Sequence, residues 1–478
     1  MSDVLIKTLS GEMSAVPAAT VDAFSAGLSG DLLSPDHPDF GEATLIWNAM
    51  IQKRPALVVR PSSTLDVART VDFARQQGLE LSIKGGGHNI AGLALSDGGI
   101  TLDMSRMNKV DVDTSRSIAR VGPGCKLADV DRVTQQHGLA AVLGFVSETG
   151  VAGLTLGGGF GYLTRQFGWT ADTLLEVEIV TADGEVRRAS REVNEDLFWA
   201  LRGGGGNFGV VTEFVFHVHE IGPEVTAGLI AWSADEAESV LQLYRSITDS
   251  APREMTAVSL MRNAPPAPWL PADKHGQPMI AMVVVHTGSP RQAASDLAPI
   301  KGHGAPWADL IMPKTYVEQQ SMLDATQPKG MYYYWKSEFF SGLSDHLLDT
   351  IRAQFDGLSA PANQLALFHV EGAIGEHDED DGAIGNRDAE HACVIASLSP
   401  PTDEVTAENR DWVRDTWTAV RPFSTGGNYI NFQTDDEAAT RINESYRGNY
   451  QRLERIKAEY DPTNLFRVNR NIQPSGEG

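Results

Sequence analysis

The sequence predicts an α+β protein of two or three domains, and three observations carry that prediction. The chain has 478 residues, more than one hydrophobic core usually serves. Up to about residue 220 it alternates strand-like and helix-like segments and is dense in glycine. From there to about residue 425, strands alternate with amphipathic helices, the pattern of a sheet covered on one face.

The elements follow in order. "ALVVRPSS" reads as a strand ending in a turn. "STLDVARTVDFARQQG" reads as a helix: Ser63 suits the N-cap, Val67, Val71 and Phe73 form an apolar face, and Gly78 ends it. "ELSIKGGG", "GITLDMS" and "SIARVGPG" read as strands. "KLADVDRVTQQHG" is helical and closes at Gly138. "LLEVEIVTADGEVRRAS" is a β-hairpin turning at "ADG". "NEDLFWALRG" is a short helix from Asn194, and "FGVVTEFVFHVHEI" a long strand. The second region, 221–425, offers the strands "MIAMVVVHTG", "QLALFHVEGAIG" and "HACVIASLS", and the helices "DEAESVLQLYRSITD" and "LSDHLLDTIRAQFDG". It also holds the aromatic run "GMYYYWKSEFF". The third, 426–478, opens on "GGNYINFQ", continues as one long helix, "TRINESYRGNYQRLERIKAEY", and turns at Pro462.

Composition narrows the function. Net charge is −24, which argues against nucleic acid or an anionic membrane as partner. Apolar runs are far shorter than the ~18 residues of a membrane span. "MSDVLIKTLSGEM" has no basic segment leading into an apolar one, so a cytoplasmic location is expected. Two cysteines, Cys125 and Cys393, with no CxxC pair, disfavour a structural zinc or a disulfide framework. The acidic stretch "EHDEDDGAIGNRDAEH" is expected to be a solvated loop.

Glycine is concentrated in three places: Gly85–Gly87, Gly157–Gly159 with Gly161, and Gly203–Gly206 with Gly209. "GGGNFG" matches GxGxxG literally. A dinucleotide fold needs a strand before that motif and a helix after it; here the order is reversed. No GxxxxGK[ST] exists. Glycine turns between strands can instead hold a diphosphate through backbone N–H groups, and three such clusters within 85–209 suit an extended cofactor. The first cluster runs into His88. That residue could be a polar loop side chain, a metal ligand lacking partners at ligand spacing, or a neutral imidazole bonded to a cofactor.

"RPSSTLDVARTVDFARQQGLELSIKGGGHNIAG", "GGGFGYLTRQFG", "LFWALRGGGGNFGVVTEF" and the closing "NYINF…YDPTNLFRVNRNIQP" together resemble the berberine-bridge-enzyme-like branch of the vanillyl-alcohol-oxidase flavoproteins. The resemblance spans nearly the whole chain and is loosest in the middle. Within the branch the chain is similar to bacterial members and to one that works through a flavin-N5-oxide. It implies a two-part PCMH-type FAD-binding domain over 1–220 (core about 54–220), a substrate domain over 221–425 with an antiparallel sheet covered by helices, and a C-terminal segment, 426–478, that returns to the FAD domain.

The resemblance also implies residue roles. His88 falls where the family bonds the 8α-carbon of FAD. Gly85, Gly86, Gly87, Asn89 and Gly92 match the pyrophosphate loop. Thr149, Gly150, Gly153, Leu154, Gly159 and Gly161 match a second flavin-contacting stretch, and Gly209 with Val211 a third. Tyr429 and Asn431 match a Y-x-N motif beside the flavin. Where many plant members attach flavin C6 to a cysteine, this chain has Val146, so a single covalent link is expected.

The chemistry so implied is hydride transfer from an alcohol, sugar or amine carbon of a small-molecule substrate to FAD, with a base taking a proton. Tyr429 is the first candidate for orientation or acid–base work. Strand alternation places His369 and Glu371 on one face of "LFHVEG", a possible acid–base pair. The Tyr332–Tyr334 run is a further candidate. Thr149 occupies the family's gatekeeping position for oxygen, which favours an oxidase using O2, and the Thr149/Leu154 pair matches the N5-oxide member. The chain is expected to act as a monomer or homodimer.

Overall fold

The computed structural model describes residues 3–356 and 363–476. Three large sheets organise it. The first has the order Asp31–Leu33, Leu57–Arg60, Ile100–Asp103, Leu81–Lys84; the last three strands run parallel and the edge strand antiparallel. Helix Thr64–Gln77 joins two of the parallel strands. Ser63 Oγ accepts from the Asp66 N–H, and Gly78 ends the helix at φ +63°. Val67, Val71 and Ala74 press its apolar face onto Leu57, Leu81 and Leu102.

The second sheet is antiparallel: Val186–Ser190, Leu174–Val180, Val210–His217, Ile118–Val121, Val110–Asp113. Helix Glu195–Leu201 buries Leu197, Phe198 and Leu201 in its core. The "GGGNFG" segment lies between this helix and strand Val210–His217, the reverse of a dinucleotide fold.

The third sheet has eight antiparallel strands. Its main path is Ala308–Asp309, Glu224–Ser233, Pro278–His286, Met255–Asn263, Gln364–His369, His391–Ser399, Tyr332–Phe340, and Met312–Thr315 also pairs Glu224–Ser233. Alternation gives it two faces. Met261, Met282, Leu367 and Ile395 share a core with helices Ala237–Thr248, Asp345–Asp356 and Asp403–Val420. Their strand neighbours Leu260, Val283, Ala366 and Val394 face the opposite side, toward the glycine-rich region.

Several expectations need correction. The long C-terminal helix is two helices, Ala439–Tyr446 and Tyr450–Tyr460, broken at Arg447–Asn449, where Arg447 adopts φ +48° and pairs with Glu379 and Asp388. Strand "QLALFHVEGAIG" stops at His369. In the helix read as "LSDHLLDTIRAQFDG", Gly357 lies outside the described residues. The acidic stretch is a latch rather than a solvated loop. Asp381 pairs with Arg191, Arg202 and His377, Arg387 grips buried Asp172 through two hydrogen bonds, and Trp199 Nε1 donates to the Asp380 carbonyl. Strands Glu224–Ser233 and Met255–Asn263 went unread, because both are buried on both faces over most of their length and their polar residues follow no strict alternation.

The C-terminal segment packs Tyr446, Leu453, Ile456 and Ile472 into the core of the second sheet. Cys125 and Cys393 are buried and free. Among the described residues no helix is long and apolar enough to cross a membrane.

Candidate active site

A cavity of about 340 Å³ lies between the glycine clusters and the open face of the third sheet. Its two ends differ in construction. One end is backbone: Gly85, Gly86, Gly87, Gly150, Gly153, Gly205, Gly206 and Gly209 line it, with Asn89, Thr149, Leu154, Asn207 and Val211. Gly86 and Gly150 sit back to back, and a Cβ on Gly86 would lie 2.5 Å from the Gly150 backbone. Only glycine permits two chains to approach so closely. Gly87 follows at φ +69° and swings the chain toward His88.

His88 borders the cavity with its ring stacked on Trp47, centroids 4.4 Å apart. Its Nε2 is buried and has no hydrogen-bond partner. Burial and the positive charge of Lys126 pull its pKa down to about 4, so the imidazole is neutral and its lone pair available at neutral pH.

Tyr429 and Asn431 stand at the junction of the two ends. Tyr429 Oη accepts hydrogen bonds from the Gly159 N–H at 3.0 Å and from Asn431 Nδ2 at 2.9 Å. Asn431 Nδ2 is oriented by the carbonyls of Gly153 and Leu154. A Cβ on Gly157 would lie 2.4 Å from the Asn431 amide, which is why glycine stands there. With two donors on its oxygen, Tyr429 has its own hydrogen left to give. Burial pushes its pKa up to about 12, against the lowering effect of Asn431 and Gly159. It is therefore a neutral donor near pH 7, not a base.

The other end is side chain. Val258, Leu260, Val283, Ala366, Phe368 and Val394 come from the sheet, and Phe145, Phe160, Phe432 and Trp335 close around them. None of the described lining residues is a carboxylate.

The structure brings most of the expected residues together and separates others. Gly92, Gly159 and Gly161 do not line the cavity. Gly92 turns against Ile51, Gly159 supplies its N–H to Tyr429, and Gly161 packs on the Leu143 carbonyl. His369 and Glu371 are not at the cavity. Strand alternation turns Gln364, Ala366 and Phe368 into it and His369 to the helix side. There His369 is 1% exposed, stacks on His391 and lies 3.5 Å from the half-exposed Glu371 carboxylate. Burial, with Arg165 nearby, holds its pKa far below the usual histidine value. None of Tyr332–Tyr334 lines the cavity: Tyr333 stacks on Trp47 and Tyr334 Oη donates to Asp436. The neighbouring Trp335 does line it and was missed, as were Phe145, Phe368 and Phe432. Val146 lines the cavity and Cys125 does not.

A backbone cradle able to hold a diphosphate, continuous with a pocket for a small molecule, suits an enzyme that carries a dinucleotide cofactor. FAD fits the residues present, since the glycines leave room for close approach and His88 has an unpartnered nitrogen at the cavity wall. Comparison with known proteins gives the family. Residues 55–190 match the FAD binding domain model, and residues 428–473 match the berberine and berberine-like model. The chain is 32% identical over 457 residues to (R)-6-hydroxynicotine oxidase of Paenarthrobacter nicotinovorans, covering 94% of this chain and 98% of that protein. The crystal structure of 6-hydroxy-D-nicotine oxidase from Arthrobacter nicotinovorans superposes with a TM-score of 0.81 at 29% identity, over 94% of this chain and 99% of that one. The xylooligosaccharide oxidase of Myceliophthora thermophila C1 shares the fold, with a TM-score of 0.84 at 22% identity over 96% and 100% of the two chains. The protein belongs to the berberine bridge enzyme-like FAD-linked oxidases, and is an FAD-linked oxidoreductase.

Proposed function

We propose that the protein is an oxidase that takes hydride from an alcohol, sugar or amine carbon, holds FAD by one covalent bond through His88, and passes the electrons to O2, giving hydrogen peroxide. The observation that carries this reading is one continuous cavity joining the unpartnered, neutral His88 to the Tyr429–Asn431 pair and an apolar sheet face. Bound FAD supplies the hydride acceptor and the route for two electrons to oxygen.

The chain's own residues do the rest. The glycine turns offer backbone N–H groups to a diphosphate. His88, neutral above about pH 4, would hold the cofactor through its Nε2 lone pair at the 8α-carbon, a link that replaces one methyl C–H bond, releases its proton to solvent and passes two electrons to O2. Tyr429 gives its hydrogen to the substrate oxygen or nitrogen and fixes which C–H is presented. Asn431 and the Gly159 N–H hold the phenol in place. The Phe and Trp walls exclude water. The described wall residues include no carboxylate and no second histidine, so the substrate proton leaves to solvent. Thr149 at the cavity supports oxygen access on the family pattern.

Acid-precipitated protein should stay yellow, and anaerobic mixing with a panel of alcohols, sugars and amines should bleach the flavin, with peroxide formed on readmitting air. Colourless precipitate would remove the covalent bond from the proposal. Slow reoxidation in air, with rapid turnover on an artificial acceptor, would replace the oxidase by a dehydrogenase.

A further inference from the structure

The sheet face above the cavity is ordered in cross-strand rows. One row reads Met279, Arg262, Gln364, Ala396, Trp335, each paired directly with the next across five strands. Paired residues in an antiparallel sheet share a face. Gln364 and Trp335 line the cavity; Arg262 shares their sheet face beside Gln364, one row beyond the lining residue Leu260.

Arg262 is a buried cation, 8% exposed, in no ion pair with any described residue. Its Nε donates only to the neighbouring Asn263 carbonyl, at 3.2 Å. Burial alone acts on it and lowers its pKa, with no carboxylate offsetting the effect. A guanidinium stays charged in proteins, and burying one without a counter-charge is costly. The two neighbouring polar groups of the row are also unused. Trp335 Nε1 is buried without a partner, and the Gln364 amide makes no side-chain hydrogen bond. The terminal guanidinium nitrogens of Arg262, the Gln364 amide and the Trp335 indole, none with a described acceptor, therefore share one edge of an otherwise apolar wall.

The row's position adds a length. Tyr429 packs on Phe160, and Phe160 on Phe368. Phe368 pairs with Val258, four residues before Arg262 on the same strand face. Four residues of strand span roughly 13 Å.

We propose that the substrate is an elongated, ring-bearing acid, its anionic oxygen group bound by Arg262 with Gln364 and its reacting carbon presented at Tyr429. The proposal rests on the oxidase reading, since it assigns the substrate of that same cavity. The apolar rows between, Leu260 with Ala366 and Val258 with Phe368, take the rings. Arg262 is a specificity residue and takes no part in hydride transfer.

The test uses holoenzyme and two non-oxidisable probes, 2-naphthoate and 2-naphthamide, titrated by the perturbation of the flavin absorption band. Wild type should bind the acid about tenfold more tightly than the amide, and Arg262→Gln should abolish that preference while moving amide affinity less than about twofold. Gln364→Leu should weaken the acid by roughly threefold, and raising salt to about 0.5 M should weaken the acid but not the amide. Equal binding of acid and amide by wild type, failure of both to bind, or equal loss of both in Arg262→Gln would overturn the proposal and leave Arg262 a structural side chain. Should Arg262→Gln not fold, an acid preference unchanged both in Gln364→Leu and in high salt overturns it equally. The oxidase reading is scored separately, by anaerobic bleaching with 6-(hydroxymethyl)-2-naphthoate and with the neutral 2-naphthalenemethanol. Selective acid binding without bleaching by either alcohol would sink that reading and keep this one.

Discussion

The two ends of the cavity are made of different material. The end we assign to the cofactor is backbone, and what it needs is the absence of a side chain, as at Gly86 against Gly150; the same holds at the junction, at Gly157 against Asn431. The end we assign to the substrate is side chain, drawn from alternate positions of five strands between Val258 and Val394. A site made by omission has a narrow residue requirement and sits in short contiguous loops. A site made by a sheet face has a broad requirement, apolar and of about the right size, spread over more than a hundred residues. The first kind is strict and recognisable; the second is tolerant and sets specificity.

That contrast can be broken by substitution. The largest expected effect is at the cofactor end: His88→Ala should lose covalent flavin completely, read as a colourless pellet after acid precipitation. Retained colour would place the bond elsewhere. Incorporation of FAD into wild-type apoprotein should hardly change between pH 8 and 5, because His88 stays neutral down to about pH 4.

Next comes the junction. Tyr429→Phe removes the phenol hydrogen held at the junction and should lower kcat about a hundredfold with covalent flavin intact. Because burial holds the phenol neutral to about pH 12, kcat/KM should show no tyrosine ionisation between pH 7 and 10. An alkaline limb near pH 8 would mean that a bound substrate or cofactor acidifies Tyr429, and would restore it as a base.

Two adjacent residues test which sheet face matters. Phe368→Ala should raise KM by roughly tenfold through lost apolar contact, whereas His369→Gln, one residue on but facing the helices, should leave kcat within about twofold. The reverse order would reinstate His369 as a catalytic group.

The smallest effect concerns stability. Asp131 is buried between helices Leu127–Thr134 and Tyr316–Gln320, with Gln320 Nε2 as partner for one oxygen, and burial raises its pKa to about 7. A carboxyl whose folded pKa is raised favours the fold while protonated. Its contribution is full below about pH 4 and is lost as pH rises through 7. Asp131→Asn should therefore flatten the fall in melting temperature between pH 5 and 8, by roughly 1 °C per kcal/mol in a chain of this size. An unchanged slope would show that Asp131 ionises normally.

Much of the first region was legible because its signals are local. Ser63 and Gly78 cap one helix, and Gly138 closes another, at the positions expected. The glycine clusters marked the cofactor end for the same reason. Strands Glu224–Ser233 and Met255–Asn263 gave no strict period to read, being buried on both faces over most of their length. The break at Arg447 depends on ion pairs to Glu379 and Asp388, some 60 residues earlier in the chain.

The sequence by itself marked the glycine clusters and His88 at the end of the first, because glycine and imidazole answer local backbone and chemical demands, and it marked Tyr429 and Asn431 through their likeness to the family's Y-x-N motif. Only the tertiary structure decided which face of the third sheet meets the cavity. Alternation divides a strand into two faces but does not say which one turns inward. That choice followed from helices Ala237–Thr248, Asp345–Asp356 and Asp403–Val420 covering one side, which sent His369 away from the site and brought Phe368, Trp335 and the Arg262–Gln364 row toward it.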